Sequence, residues 1–220
     1  MVDVRQNGRL TPASCPLRWL GLRRANMGTE TESEVMDERL SEQARLTIIG
    51  SSQQALQSES HAIGTEHLLL SLLIEGDGAA LKTLEMLAIS PESIRQHVLA
   101  VAVARPTPWR TIAGTKSPDG HIPFTHEAQK TIEHASSEAR KLGHRYLGAE
   151  HMLLALIRER NGLAGRVLAD LGADLDTARG FVAGLIEEDG VPAGIPPEWA
   201  HPEPRQRADG MSRWRRKRSQ

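Results

Sequence analysis

Two stretches of the chain carry apolar residues at helical spacing, and each reads as four short helices. The first helix is predicted near 41–57 and again near 125–141, with Ser41 and Thr125 as N-caps. The second is predicted near 65–75 and 149–160, entered from Gly64 and Gly148. Its residues Leu69, Leu70, Leu72 and Leu73 cover a wide face, the pattern of a deeply buried helix. The third is predicted near 78–87 and 162–171. The fourth starts at Ser90-Pro91-Glu92, where Ser90 caps and Pro91 suits the first helical position; Asp174 takes the capping place in the second stretch.

The two stretches are copies. A shift of 84 residues lays Leu40–Ile94 on Phe124–Ala178 without a gap, and 16 of the 55 positions are identical. Chance would give roughly three or four, since common residues each make up about 5–10% of a chain. Gly64/Gly148, Glu66/Glu150 and His67/His151 are among the shared pairs. Neither unit carries much apolar surface of its own, so the two are expected to pack together about a pseudo-twofold axis. The expected architecture is all-α. A disordered leader covers 1–38, the first unit 39–103, a linker 104–122, the second unit 123–187, and a Pro-rich then basic disordered tail 188–220.

Composition narrows the picture further. Aromatics are only 3% of 220 residues, which favours packed helices over a β-sandwich. The formal net charge of −1 gives no global pull towards nucleic acid or membrane, and no run approaches the ~20 apolar residues of a bilayer span. The only cysteine, Cys15, excludes an internal disulfide and fits a reducing, cytoplasmic setting. The first residues lack a signal-peptide apolar stretch, and either Met1 or Met27 would serve as start. Charge is segregated at the ends. Arg5, Arg9, Arg18, Arg23 and Arg24 precede an acidic stretch, and the tail holds Arg213-Trp214-Arg215-Arg216-Lys217-Arg218.

Three motifs carry a family resemblance. Gly64-Thr65-Glu66-His67-Leu68-Leu69-Leu70 and Gly148-Ala149-Glu150-His151-Met152-Leu153-Leu154 look like its GTEHILL signature. Gly120-His121-Ile122-Pro123-Phe124-Thr125 resembles the GHIPFT junction, and Glu138-Ala139-Arg140-Lys141-Leu142-Gly143-His144 the EARKLGH stretch. Together, over about residues 38–187, the chain is similar to the double Clp repeat, the N-terminal domain of Clp ATPases, most closely the ClpC type. The first unit is more degenerate: Leu40-Ser41 stands where the family has Phe-Thr, and Gln54 lies opposite Glu138. In that family two AAA+ modules follow the repeats. Here about 33 residues follow, and Gly114-Thr115-Lys116-Ser117 lacks the second glycine of a Walker A loop. The expectation is a stand-alone, non-enzymatic recognition module without cofactor.

The resemblance also names candidate site residues. In ClpC-type N-domains the Glu of each repeat reads phospho-arginine tags, which here implies Glu66 and Glu150. A carboxylate at a helix start can grip a guanidinium, and free N-terminal amides can hold its phosphate. An acid in the first turn also simply complements the helix dipole. Ser41 and Thr125 are the expected phosphate-side helpers. Thr65 belongs to the same set, whereas Ala149 lacks the equivalent hydroxyl. Phe124 would staple its helix or line a peptide groove. Both carboxylates are expected to form recognition pockets open to a ligand.

His67 and His151 are read as packing or hydrogen-bonded residues, because adjacent Glu-His points its side chains roughly 100° apart on a helix, too far for chelation. His126-Glu127-Ala128-Gln129-Lys130 fails as a zinc motif at Lys130, so no metal site is expected. Cys15 has no activating surroundings, and no Ser/His/Asp arrangement stands out. The expected partners are tagged or unfolded client proteins or peptides, a Clp ATPase–protease or its adaptors. The chain would act as adaptor or sequestering decoy. The alternative is a regulator whose basic tail contacts DNA, with Trp214 stacking on a base.

Overall fold

The computed structural model describes residues 40–75, 78–104 and 122–189, together with Ile195. The expected leader with Cys15 and Met27, most of the expected linker with its Gly114–Ser117 stretch, and the Arg213–Arg218 tail lie outside the described residues.

Eight helices make up the described chain: α1 Glu42–Gln57, α2 Thr65–Glu75, α3 Ala79–Met86, α4 Pro91–Ala104, α5 His126–Leu142, α6 Ala149–Arg158, α7 Leu163–Asp170 and α8 Leu175–Asp189. Their starts follow local chemistry. Ser41 Oγ accepts from the Ala44 amide at 3.1 Å and Thr125 Oγ1 from the Ala128 amide at 3.2 Å. Ser90 Oγ accepts from the Ser93 amide at 3.1 Å, and Asp174 Oδ2 from the Thr177 amide at 2.8 Å. Each bond satisfies one of the amides a helix start leaves open. Two loops differ between the units. Gly143 and Gly172 take left-handed backbone in the second unit, at φ 80° and 86°. In the first unit Glu59 and Ala88 hold those positions at φ 53° and 58°, where a Cβ is unfavourable.

The two units embrace reciprocally. Leu40 bridges Leu147, and Ile63 bridges Phe124. The 84-residue shift turns the first pair into the second, so each unit gives the other what it receives. The hydrogen bonds repeat the exchange: the Ser41 amide donates to the Leu147 carbonyl and the Thr125 amide to the Ile63 carbonyl, both at 2.9 Å. Reciprocity of this kind is the mark of an isologous twofold contact, realised here within one chain. Helix pairs follow suit, with α3 on α8 and α4 on α7. The central helices α2 and α6 meet and contribute Leu68, Leu69, Leu72, Met152, Leu153, Leu154 and Leu156 to one fully buried core.

Candidate functional site

The crossed bridges decide which candidate residues meet. Phe124 and Thr125, at the start of α5, lie beside Ile63, which leads into α2 and Glu66. Leu40 and Ser41, at the start of α1, lie beside Leu147, which leads into α6 and Glu150. Each glutamate-bearing helix start is therefore entered from a segment that runs beside a helix start of the other unit. The sequence named all four residues, but the crossing could not be read from it. The negative charge of Glu127, in the first turn of α5, reaches Glu66 across the same junction.

The open pockets expected from sequence are not what the structure shows. Glu66 is 9% exposed and Glu150 3%. Each side chain folds back over the glycine two residues before it, and its carboxylate occupies the place a Cβ would take on Gly64 or Gly148. Glycine at both positions leaves room for this close approach; a Cβ there would push the carboxylate aside. Burial pushes the carboxyl of each glutamate up; an own-backbone hydrogen bond opposes the rise, and Glu127 adds to it at Glu66. The Tyr146 hydroxyl and Glu150 Oε1 are both buried without a partner at good hydrogen-bond geometry, yet the hydroxyl stands near enough to help hold the Glu150 carboxyl down. In the first unit Ala62 stands where Tyr146 stands, and there the glutamate keeps slightly more of its surface.

The histidines beside these acids are helix caps. Gly64 N–H donates to His67 Nδ1 at 2.9 Å, and Gly148 N–H to His151 Nδ1 at 3.0 Å. An imidazole that accepts at Nδ1 must be neutral and carry its hydrogen on Nε2. His67 Nε2 accordingly meets Ser58 Oγ at 2.9 Å, and His151 Nε2 meets His144 Nδ1 at 2.8 Å. Burial lowers His67 to about 4 and His151 to about 3, in keeping with neutral rings. Tyr146 packs edge-on to His151 at 5.3 Å and stacks on His144 at 5.5 Å, an aromatic cluster with no counterpart at Ser60 and Ala62. Among the described residues no group of three or more His, Cys, Asp or Glu is arranged to hold a metal ion.

Two other candidates have structural duties. Thr65 is 2% exposed, and its Oγ1 accepts from the Ala164 amide at 3.2 Å. It caps α7 of the opposite unit, whose own N-cap residue, Gly162, has no side chain to do so. This bond engages one lone pair of the Thr65 hydroxyl. Phe124 is half-buried against the common core. Its usual staple partner, the fourth residue of α5, is the polar Gln129, so packing across the dyad replaces the staple.

The sequence also gave no hint of a buried ionic cluster in the second unit. Glu138 is fully buried and takes hydrogen bonds from Lys141 at 2.9 Å, Arg158 at 3.1 Å and Arg179 at 2.7 and 3.0 Å. Gln57, Ile74 and Arg95 occupy the cationic positions in the first unit, around Gln54.

Comparison with known proteins agrees with this architecture. The profile of the Clp repeat (R) N-terminal domain matches residues 39–108 and 123–196. The chaperone protein ClpB of Oceanobacillus iheyensis is 39% identical over 156 residues, covering 71% of this chain and 18% of that protein. The negative regulator of genetic competence ClpC/MecB of Bacillus subtilis is 40% identical over 148 residues, covering 67% and 17%. The chain thus spans less than a fifth of the length of these relatives. Among solved structures, the N-terminal domain of ClpD from Arabidopsis thaliana superposes with a TM-score of 0.52 at 25% identity, covering 68% of this chain and 96% of that domain. The Hsp104 N-terminal domain of Candida albicans shares the fold at 14% identity, with a TM-score of 0.52 and coverage of 74% and 95%. No helix among the described residues is long and apolar enough to cross a membrane. With both repeats matched and the fold shared, the chain belongs to the Clp repeat N-terminal domain family.

Proposed function

We propose that the protein is a non-catalytic recognition module of a Clp chaperone–protease system, which binds client proteins, peptides or adaptors at the starts of α2 and α6. The carrying observation is the crossed junction. The segment that leads into Glu66 runs beside Phe124 and Thr125, and the segment that leads into Glu150 beside Leu40 and Ser41, which supports a reading in which each site draws on the starts of two helices. That combination suits an arginine bearing a phosphate: a carboxylate for the guanidinium, helix amides and a hydroxyl for the phosphate. To grip such a ligand a glutamate must leave its inward position over the glycine. Glu66 is the better placed of the two, since it keeps more exposed surface and Glu127 repels it. Glu150 is the more enclosed.

Isothermal titration with a phospho-arginine peptide tests the reading. The wild-type protein should bind it and bind the unphosphorylated peptide at least about tenfold more weakly. Glu66→Ala should abolish most of the binding and Glu150→Ala a smaller part. No heat from the wild type, or equal heat from the Glu66→Ala/Glu150→Ala double variant, would end the claim for these sites. The proteins that co-purify with a tagged copy would separate delivery of clients to a Clp ATPase from their sequestration.

A further inference from the structure

The outward face of α1 breaks the pseudo-symmetry. Leu46, Ile49 and Leu56 are 36%, 45% and 65% exposed, although they lie on the side of the helix away from Ala44, Ile48, Ser51 and Ala55, which are buried. The corresponding residues of α5 are Lys130, Glu133 and Arg140. The fold therefore accepts charged side chains at these positions, and packing among the described residues does not account for the apolar ones. Leu46, Ile49, Gln53 and Leu56 follow at intervals of three, four and three, the spacing of a seam that meets another helix.

From this face we infer that α1 is a docking surface for a second copy of the chain, with the two α1 helices antiparallel across a twofold axis. The three-four-three spacing reads the same in both directions. An antiparallel pair therefore sets Leu46 against Leu56 of the second copy and Ile49 against its Gln53, and repeats both contacts by symmetry. Charge selects the same alignment. Arg45 flanks the seam near the start of α1, and Glu59 follows its end. Neither side chain has a hydrogen-bond or ion-pair partner among the described residues, and Arg45 Nε is buried without one. The antiparallel arrangement brings Arg45 to the helix end that carries Glu59 of the second copy, where the cation also complements the C-terminal end of the dipole. A parallel pair would leave the two about 20 Å apart along the axis. One helix pair buries less than the ~800 Å² per partner of a standard interface, so the association is weak and seen at high concentration.

Sedimentation equilibrium of the full chain from about 10 µM to about 1 mM tests the inference. The weight-average mass should rise towards that of two copies. Leu46→Lys/Ile49→Glu/Leu56→Arg, which installs the residues of the second unit, should stay monomeric with an unchanged circular dichroism spectrum. Arg45→Glu alone should weaken association about tenfold, and Arg45→Glu/Glu59→Arg should restore it. This second series needs no change to the apolar seam, should the triple variant fold poorly. A wild-type protein that remains monomeric throughout would overturn the inference, leaving the face to a different partner. Undiminished association of the triple variant, or no recovery in the charge swap, would overturn it too.

Discussion

Arg179 holds Glu138 through two hydrogen bonds, Nε to Oε2 at 2.7 Å and Nη2 to Oε1 at 3.0 Å, and so ties α8 to α5 across 41 residues of chain. Arg158 adds a tie from α6 and Lys141 one from α5 itself. Removing one partner of a buried pair costs about 3–5 kcal/mol when the other is left unpaired. Two cations remain here, so Arg179→Ala should cost about 2–3 kcal/mol by urea unfolding, while Glu138→Ala should cost more. A cost for Arg179→Ala close to zero would show that the ion pair is solvent-screened and contributes little.

The same cluster sets an acid limit. Burial opposes the charge on Glu138, but the hydrogen bonds from Arg179 and Lys141 more than offset it and hold the carboxyl at about 2. A folded value below the unfolded one means stability that is present above the unfolded pKa and lost as pH falls through the folded pKa. Stability should therefore decline between about pH 4.5 and about pH 2. Glu138→Gln should flatten that part of the profile, as measured by thermal unfolding at stepped pH.

Glu150 runs in the opposite direction. Burial raises its carboxyl, so its contribution favours the folded state at low pH and is lost as pH rises through the folded value. Glu150→Gln should accordingly raise stability at pH 7.5, and the gain should shrink as pH falls. A variant less stable than wild type throughout that range would mean that the carboxylate's own backbone hydrogen bond outweighs its burial.

Thr65 caps a helix it does not belong to. Thr65→Ala should cost about 1 kcal/mol, since loss of an N-cap hydroxyl typically costs that much. Hydrogen exchange should show faster opening at the first turn of α7 rather than α2. In the other unit Ala149 stands in the equivalent place, and α3 has no side-chain cap at Gly78. Ala149→Thr should therefore protect the first turn of α3 in the same measurement.

Ala88 holds a left-handed position that its counterpart, Gly172, fills without a Cβ. Ala88→Gly should stabilise the protein by about 1 kcal/mol, because the left-handed conformation costs a non-glycine residue about that much. The midpoint of thermal unfolding is the readout, and a fall in it would contradict the assignment of strain to this turn.

Local features were legible before any coordinates. Ser41, Thr125, Ser90 and Asp174 cap the helices they were expected to cap, because an N-cap bond spans only three residues and is encoded in a few side chains. The duplication, the all-helical class and the embrace of the two units followed from a shift of 84 positions and from apolar surface too small for a lone unit. The candidate site was legible only as a set of residue names. Nothing in the order of residues told that the Ser41 amide would bond the Leu147 carbonyl ahead of Glu150, that the Thr65 hydroxyl would accept from Ala164, or that Lys141, Arg158 and Arg179 would gather on Glu138. Those pairings join residues from 3 to 106 positions apart, some on one helix and some across the dyad. The inward turn of both glutamates was hidden for a related reason. A carboxylate at a helix start reads the same whether it faces water or lies over a glycine, and only the folded packing decides between the two. The sequence by itself determined two copies of a helical unit and where each helix begins, since these depend on neighbours along the chain. The tertiary structure decided which segment of one copy lies beside which helix start of the other, since burial and long-range hydrogen bonds depend on neighbours in space.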